Sequence, residues 1–301
     1  MAILNLGGSF LPTPIEYIFR SVICISHMDI LEIYHQHSRL IHSIYNSRLK
    51  IQVLLTLLQG KASLSKLRSI TGSTSQAIIP KIRNLEALAL VEAEGYEYRL
   101  STLGRVVASE VKTYVTLMGG IASHQQFWVT HDLSGLPPRF LARIGDLQVS
   151  HIQADTTVDM FSVYTHYLAI IKEARYIHGI SSVASPGLAQ FLAEKVNEGV
   201  PVELVVNEEV IDILKQDPYA GHMKALASSQ NFHVWVTGEI LRVGLTVTDR
   251  NLSLGLFKKE SNLYDSSSDL FSDDPAAVGW GEDLFLYYRK RSTPLDFSSL
   301  F

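Results

Sequence analysis

The sequence predicts an α+β or α/β protein in two parts, a small winged helix-turn-helix followed by a larger mixed α/β domain. A chain of 301 residues has the length for two domains of about 100–200 residues each. Its residues are 47% hydrophobic and 19% charged, which is typical of globular proteins with a substantial core. Three amphipathic helices and a hairpin come first along the chain, and strands that alternate with helices follow them.

The beginning of the chain shows no hydrophobic period and contains Gly7, Gly8 and Pro12. We expect residues 1–27 to form a disordered leader. They make a poor signal peptide, and no apolar run in the chain reaches the roughly 18–20 residues of a membrane helix. A single cysteine, Cys24, excludes a disulfide framework and a cysteine-based zinc site. The protein is therefore expected to be cytoplasmic, without a membrane partner.

Residues 48–88 contain three apolar periods that predict three short helices. Gly60 ends the first helix, and Gly72 ends the second. The residues expected on the core faces of the three helices are, in order, Ile51, Leu54, Leu55 and Leu58, then Leu64, Leu67 and Ile70, then Ile78, Ile82, Leu85 and Leu88.

Ser73 or Thr74 is expected to cap the third helix. Pro80 removes one backbone donor from this helix, so we expect a local bend there or a helix that becomes regular only beyond it. Residues 90–100 predict two short strands around a turn at Gly95. Three helices followed by a hairpin, in about 55 residues, are the elements of a winged helix-turn-helix.

The charge is divided unevenly along the chain. Residues 1–105 carry 11 Lys and Arg against 7 Asp and Glu, whereas residues 106–301 carry 15 against 23. A basic part joined to an acidic part favours a polyanion, double-stranded DNA, as the partner of the first part. The alternative is an interaction domain that binds protein. The candidate DNA-contacting residues are Lys61, Lys66, Arg68, Ser73, Thr74, Ser75, Gln76, Lys81, Arg83, Tyr96, Tyr98 and Arg99.

A further helix is predicted to begin at Thr102, and Gly119 and Gly120 are expected to bend it. A helix in this place connects two domains or forms a homodimer. Residues 132–138 then predict a linker. The chain is accordingly divided into a leader, a winged helix, a connecting or dimerisation segment, an α/β effector domain and a tail, at residues 1–27, 40–105, 106–149, 150–292 and 293–301.

The second domain is predicted to alternate between helices and strands, with an antiparallel part where the late strands follow one another directly. Helices are expected at residues 158–174, 186–198, 208–227 and 274–291, and strands at residues 176–181, 201–206, 232–236, 240–248 and 252–257.

Four stretches of the chain together resemble a known family. They are residues 74–82, 132–147, 247–257 and 280–288. The family is that of archaeal, mainly methanogen, winged-helix transcriptional regulators with a C-terminal methanogenesis-regulatory effector domain. The resemblance implies sequence-specific DNA binding, control of methanogenesis or methyl-transfer genes, and a small-molecule effector site in the second domain. It settles neither the operator nor the effector, nor whether binding activates or represses.

The strand-rich end of the second domain also resembles the phospholipase D-like fold. Enzymes with that fold need His-x-Lys followed by Asp, with the histidine as nucleophile. His222 and Lys224 supply the first two residues, but Ser229 stands where the aspartate is needed and no second motif exists. A non-catalytic domain is therefore expected, and a degenerate phosphodiesterase is the third alternative after a DNA-binding regulator and a protein-binding adaptor.

Other candidate sites are weaker. His35, His37 and His42 have no acidic or thiol residue nearby and are expected on a solvent-facing helix rather than at a metal. No phosphate-binding glycine loop, nucleophile elbow or dinucleotide fingerprint occurs, so no cofactor is expected.

Three residues of the second domain are candidates for effector binding. Asp249 and Arg250 are expected to form an ion pair in a turn at a strand end, and the alternative is that they line an effector pocket. Trp280 is expected to pack in the core, and the alternative is that it stacks on a ligand.

Overall fold

The computed structural model describes residues 29–297 of the chain. Two compact units divide the chain between Val111 and Lys112. The predicted leader, Cys24 and residues 298–301 lie outside the described residues. None of the helices between residues 29 and 297 has the length and apolar character of a membrane span.

The first unit contains the three predicted helices and the predicted hairpin, with one more helix before them. Its elements are α1 (Ile30–Tyr45), α2 (Arg48–Leu58), β1 (Ala62–Ser63), α3 (Leu64–Thr71), α4 (Ser75–Ala87), β2 (Val91–Glu94) and β3 (Glu97–Leu100), after which α5 (Thr102–Ser123) begins. The three strands form an antiparallel sheet in the order β1-β3-β2.

Local sequence explains where α3 ends and where α4 begins. Gly72 ends α3 with φ of 62°, a conformation that glycine adopts without steric cost. Thr74, and not Ser73, caps α4, because its hydroxyl accepts a hydrogen bond from the Ala77 amide at 3.3 Å. The helix is continuous from Ser75 through Pro80, so the expectation of a helix that is regular only beyond Pro80 is wrong. Burial of the apolar face of α4 offsets the one missing hydrogen bond.

The second unit is a mixed α/β domain. Its elements after α5 are α6 (Gln125–Thr130), β4 (His131–Asp132), α7 (Pro138–Leu141), a 3-10 turn (Ile144–Leu147), β5 (His151–Ala154), α8 (Ser162–Lys172), β6 (Ile177–Ser181), α9 (Pro186–Asn197), β7 (Val202–Asn207), α10 (Glu208–Leu214), α11 (Ala220–Leu226), β8 (Phe232–Thr237), β9 (Val243–Thr248), β10 (Leu252–Lys258), β11 (Tyr264–Ser272), α12 (Pro275–Arg289) and β12 (Thr293–Pro294).

One sheet organises this unit. Its strand order is β12-β8-β7-β6-β9-β10-β11-β5, and β4 pairs with β10. Strands β6, β7 and β8 are parallel, and the other pairs are antiparallel. Successive residues of a strand point to opposite faces. Val205 packs in the cluster that contains Trp280 of α12, whereas Val206 packs with residues of α9, α10 and α11. The sheet therefore has helices on both faces.

The segment expected to connect the domains is instead part of the second unit from residue 112 onward. Asp132 of β4 pairs with Phe257 of β10, and Phe140 is buried in the core. Gly120 lies inside continuous α5, where a Cβ would come within 2.5 Å of the Ile144 carbonyl oxygen. The predicted linker is therefore a packed element, and the two glycines permit a close helix contact.

Several further elements differ from the prediction. The helix expected at residues 208–227 is two helices, since Pro218 cannot donate a backbone hydrogen bond. The expected tail adds β12 to β8, with Thr293 opposite Val236. Strands β5 and β11 were not predicted, and the helix expected from residue 158 begins at Ser162.

Candidate functional sites

Helix α4 separates apolar from polar residues. Ile78, Ile82 and Leu85 are buried in the core of the first unit. The polar residues of this segment that were predicted to contact DNA lie on its outer side, and all of them are exposed or half-buried. They are Ser73, Thr74, Ser75, Gln76, Lys81 and Arg83, and we call them the α4 surface.

The six predicted basic residues fall into two groups. Lys66, Arg68 and Lys81 are exposed, and none forms an ion pair with a carboxylate in the described part of the chain. Unpaired, exposed cations are the groups that phosphate contacts use. The other three pair with glutamates: Lys61 with Glu97 at 3.3 Å, Arg83 with Glu86 at 3.0 Å, and Arg99 with Glu92 at 2.8 Å.

The hairpin is less basic than the DNA-contact prediction assumes. Its two strands carry three glutamates and one arginine, and Arg99 is also 3.6 Å from Glu94. Tyr96 at the turn is 98% exposed, whereas Tyr98 packs against the core of the first unit. The hairpin therefore offers an exposed aromatic ring but no unpaired cation.

A buried lysine positions α4. Lys50 of α2 donates hydrogen bonds to the Ser43 carbonyl oxygen at 2.7 Å and to the Asn84 side chain on α4. Burial and, to a smaller extent, the positive charge of Lys81 lower the pKa of Lys50. The sequence did not indicate a role for Lys50. Its position on the buried face of α2, beside Val53 and Leu54, becomes evident only in the folded structure.

The second unit contains a cavity of about 720 Å³ between the sheet and helices α8 to α11. Pockets that hold organic ligands typically measure about 300–1,000 Å³. Most of the lining is apolar, and it includes Leu188, Leu192, Val206, Met223, Phe232 and Val234. Met160, Phe161 and Val183 also line it while remaining exposed, so they lie at its mouth.

The floor of the cavity combines glycine with polar side chains. Gly244 of β9 lies opposite Gly255 of β10, which lies opposite Asp269 of β11. A Cβ at Gly255 would lie 1.8 Å from the Tyr264 hydroxyl and 2.6 Å from Asp269 Oδ1. Only glycine fits there, because the tyrosine and the carboxyl group occupy the space above it.

Asp269 is a buried carboxyl group with one unsatisfied oxygen. Its Oδ2 accepts a hydrogen bond from the Ser253 hydroxyl at 3.1 Å, and its Oδ1 has no hydrogen-bond partner among the described residues. The residue is 7% exposed. Burial raises the pKa of Asp269 to about 7, and the hydrogen bond from Ser253 opposes that rise. Near neutral pH the carboxyl group can therefore accept a hydrogen bond in either protonation state.

The predicted effector residues do not line this cavity. Asp249 accepts a hydrogen bond from the Arg175 amide at 2.9 Å and lies 3.6 Å from the Arg250 guanidinium. Trp280 is fully buried and donates its indole N–H to the Phe140 carbonyl oxygen at 3.1 Å. Asp249 and Arg250 thus form the predicted ion pair in a turn, and Trp280 has the predicted role in core packing; the alternative of ligand binding is not supported for these residues.

The histidines that the sequence singled out are separated. His35, His37 and His42 are exposed on α1, and the His42 ring is 2.7 Å from the Tyr34 hydroxyl. His222 lies on α11 and lines the cavity. Within the described residues, no three histidine, cysteine or acidic side chains converge as a metal site requires.

Sequence reasoning missed the cavity because it missed β11. Tyr264–Ser272 alternates weakly, since Asp265 and Asp269 are polar yet buried. Glycines inside two neighbouring strands, Gly244 and Gly255, are the signal that could have indicated a close approach to the sheet.

Two protein-family models match the chain. The N-terminal domain of methanogenesis regulatory protein FilR1 matches residues 38–119, and the middle domain of the same protein matches residues 160–291. The two parts of the chain are thus each similar to a domain of one methanogenesis regulatory protein. The second match is to a middle domain, so the C-terminal placement of the effector domain in the resemblance is not what the family model describes.

One curated relative supports the same family. The methanogenesis regulatory protein FilR1 of Methanothrix harundinacea (strain 6Ac) is 25% identical over 254 residues, which are 83% of this chain and 57% of that protein. The chain therefore spans little more than half the length of this relative.

Similar solved structures are distant. The archaeal chromatin protein TrmBL2, reported with a novel mode of DNA binding, has a TM-score of 0.40 at 12% identity and covers 90% of this chain and 100% of its own. Phosphatidylserine synthase of Haemophilus influenzae Rd KW20 has a TM-score of 0.36 at 11% identity, with 50% and 41% coverage. Neither structure supports a conclusion about the fold at these TM-scores, and the phospholipase D-like character of the second unit stays a prediction.

Proposed function

We propose that the protein is an archaeal transcriptional regulator that binds double-stranded DNA through a winged helix in its first unit. In this proposal it acts as a homodimer and responds to a small organic effector that binds in the second unit. The genes it controls belong to methanogenesis or methyl transfer. The name of the curated relative, a methanogenesis regulatory protein, supports this choice of genes.

The α4 surface carries the proposal. A helix that buries one face and exposes short polar side chains with an unpaired lysine has the groups that read base edges and phosphates. Lys66 and Arg68 on α3 add unpaired positive charge to the same unit. Phosphate contacts made by such cations supply much of the affinity of a protein for DNA.

Recognition geometry supports a homodimer. One recognition helix contacts only a few base pairs, whereas two related helices read two half-sites. Helix α5 follows the hairpin and exposes a series of large apolar side chains that a second copy would cover. They are Leu103, Val106, Val115, Met118 and Ile121.

Genomic DNA capture tests the proposal. Purified full-length protein is mixed with sheared genomic DNA from its source, and the bound fragments are sequenced. We expect a small number of enriched fragments that share one inverted-repeat motif near gene starts. Uniform recovery of all fragments would contradict a sequence-specific regulator.

A protein-interaction adaptor is the second candidate function. The hairpin favours it, because its three glutamates repel phosphate and its single arginine is paired with two of them. The adaptor interpretation expects a protein partner at this hairpin and no dependence on DNA.

We propose no enzymatic activity. His222 and Lys224 lie on α11 rather than at a strand end, and Ser229 replaces the aspartate of the phospholipase D motif. The expected result is no cleavage of bis(p-nitrophenyl) phosphate by the purified protein. Metal-independent cleavage that His222→Ala abolishes would contradict this expectation.

A further inference from the structure

We propose that the cavity of the second unit binds an apolar organic molecule that carries an N–H or O–H donor and no negative charge, with Asp269 as the acceptor. The proposal rests on the function above in one respect, since it gives the chemical class of the effector. It assigns that effector to the cavity and not to Asp249, Arg250 or Trp280.

The unsatisfied oxygen of Asp269 defines the polar contact. A buried oxygen without a hydrogen bond is costly, so proteins retain few of them. Asp269 Oδ1 is held at this position because Ser253 fixes Oδ2 and because Gly255 leaves space beneath the carboxyl group. A donor on a ligand would satisfy Oδ1 and remove the cost.

Three polar groups of the lining are the alternative acceptors to Asp269: the hydroxyls of Tyr167 and Tyr264 and the carboxyl group of Asp155. The hydroxyl of Tyr167 is 2.9 Å from that of Thr246, which forms part of the floor. Burial raises the pKa of Tyr264 well above 10, so its hydroxyl stays neutral. Asp155, the other acidic residue of the lining, accepts hydrogen bonds from the Ser162 hydroxyl and the Val163 amide. Asp269 Oδ1 is therefore the buried oxygen of the described lining that lacks a hydrogen bond.

The charge of the lining disfavours anions. Among the described residues that line the cavity none is lysine or arginine and His222 is the one histidine, whereas Asp155 and Asp269 are both present. A carboxylate or phosphate would lose its hydration close to two acidic side chains and without a lysine or arginine partner. A hydroxyl or amide loses less hydration, and the loss for an ammonium group is compensated by the contact to Asp269.

The walls determine the rest of the ligand. Leu192, Met223 and Phe232 present apolar surface, and the exposed apolar side chains of Met160 and Phe161 at the mouth extend it outward. A cavity of about 720 Å³ accommodates a molecule of about 20–30 non-hydrogen atoms. Such a molecule gains affinity from the apolar walls and orientation from one polar contact.

The test uses the full chain and a fluorescent probe. N-phenyl-1-naphthylamine is apolar, uncharged and carries one N–H, and its emission rises in an apolar site. We expect saturable binding of this probe. Dodecylamine and dodecan-1-ol, which share a chain and differ in the donor group, should displace it about tenfold more effectively than dodecanoate.

Two substitutions on α9 connect binding to the cavity. Ala189 lines the cavity, whereas Gln190 is exposed on the same helix. Ala189→Trp should fill the cavity and abolish probe binding, and the control Gln190→Trp should leave it unchanged. Circular dichroism of both variants checks that the helix remains folded.

An isosteric substitution keeps the proposal testable if Ala189→Trp does not fold. Asp269→Asn should weaken dodecylamine binding about tenfold while that of dodecan-1-ol changes less than about threefold. No saturable probe binding, equal displacement by dodecanoate, or binding that none of these variants alters would overturn the proposal. Because none of these assays contains DNA, failure here is distinct from failure of the regulator function.

Discussion

Two buried aspartates on β11 have pKa values that are shifted in opposite directions. Burial alone would raise the pKa of Asp265, but hydrogen bonds from Ser267, Lys258 and His131 outweigh burial and lower it. Asp269, four residues along β11, has only the Ser253 hydroxyl, and burial raises its pKa to about 7. Burial is therefore compensated at Asp265 and uncompensated at Asp269, as expected of a structural and a ligand-binding carboxylate respectively.

Stability should depend on pH with opposite signs at these residues. A raised folded pKa means that Asp269 favours the folded state below its unfolded pKa, near 4, and that this contribution is lost as the pH rises to about 7. Asp269→Asn should therefore raise the free energy of unfolding at pH 8 by more than it does at pH 4, and the difference between the two effects should be at most about 4 kcal/mol. Chemical denaturation of the wild type and the variant at both pH values measures the difference.

Asp265→Asn is the matched control. Its lowered pKa means that the carboxylate stabilises the fold at pH 7 and that this contribution is lost as the pH falls through its folded pKa. The control variant should therefore be less stable than the wild type at pH 7 and approach it in acid. If Asp269→Asn showed the same sign as Asp265→Asn, Asp269 would be a structural carboxylate.

At the scale of elements, α4 carries two basic residues in different states. Arg83 pairs with Glu86 at 3.0 Å, whereas Lys81 pairs with no carboxylate in the described residues. A phosphate contact by Lys81 therefore has no internal ion pair to displace. This difference was not visible in the sequence, where both residues simply followed the apolar face.

Lys81→Ala should weaken DNA binding more than Arg83→Ala. Removal of one phosphate contact in each protomer lowers affinity for all sequences and reduces the salt slope by about one per contact, or about two for the dimer. The loss should be largest at low salt, and we expect about 5–10-fold for Lys81→Ala and less for Arg83→Ala. Fluorescence anisotropy with a captured fragment measures both. Unchanged affinity in both variants would remove α4 from the interface.

The elements that sequence predicted are those with regular apolar periods. Helices α2 to α4 are present, and Leu54, Leu67, Ile78, Ile82 and Leu85 of their predicted core faces are buried. The predicted faces are wrong in part, because Ile70 is 52% exposed and α2 buries Val53 and Leu57 in place of Ile51 and Leu55. Strand β11 has Asp265 and Asp269 at buried positions, so its polar residues concealed the strand from a hydrophobic pattern. The candidate cavity could not be predicted for the same reason, because its floor is the part of the sheet that departs from the pattern.

At the scale of the whole molecule, α5 continues from the first unit into the second. A ligand that changes DNA affinity through such a connection must have its own affinity changed by DNA by the same factor. We expect that factor to lie in the common range of about 5–150. Probe affinity with and without a captured fragment, and fragment affinity with and without the probe, measure it twice. Two factors of one would show that the cavity and the DNA site are independent.

The salt dependence of DNA affinity tests the central claim most directly, since it separates a DNA-binding regulator from a protein-binding adaptor. Affinity of the full chain for a captured fragment is measured across a series of potassium chloride concentrations. Binding through Lys66, Arg68 and Lys81 of a dimer should give a logarithmic slope of about −5, at about −0.9 for each phosphate neutralised. A slope near zero, or no binding at any salt concentration, would contradict the account.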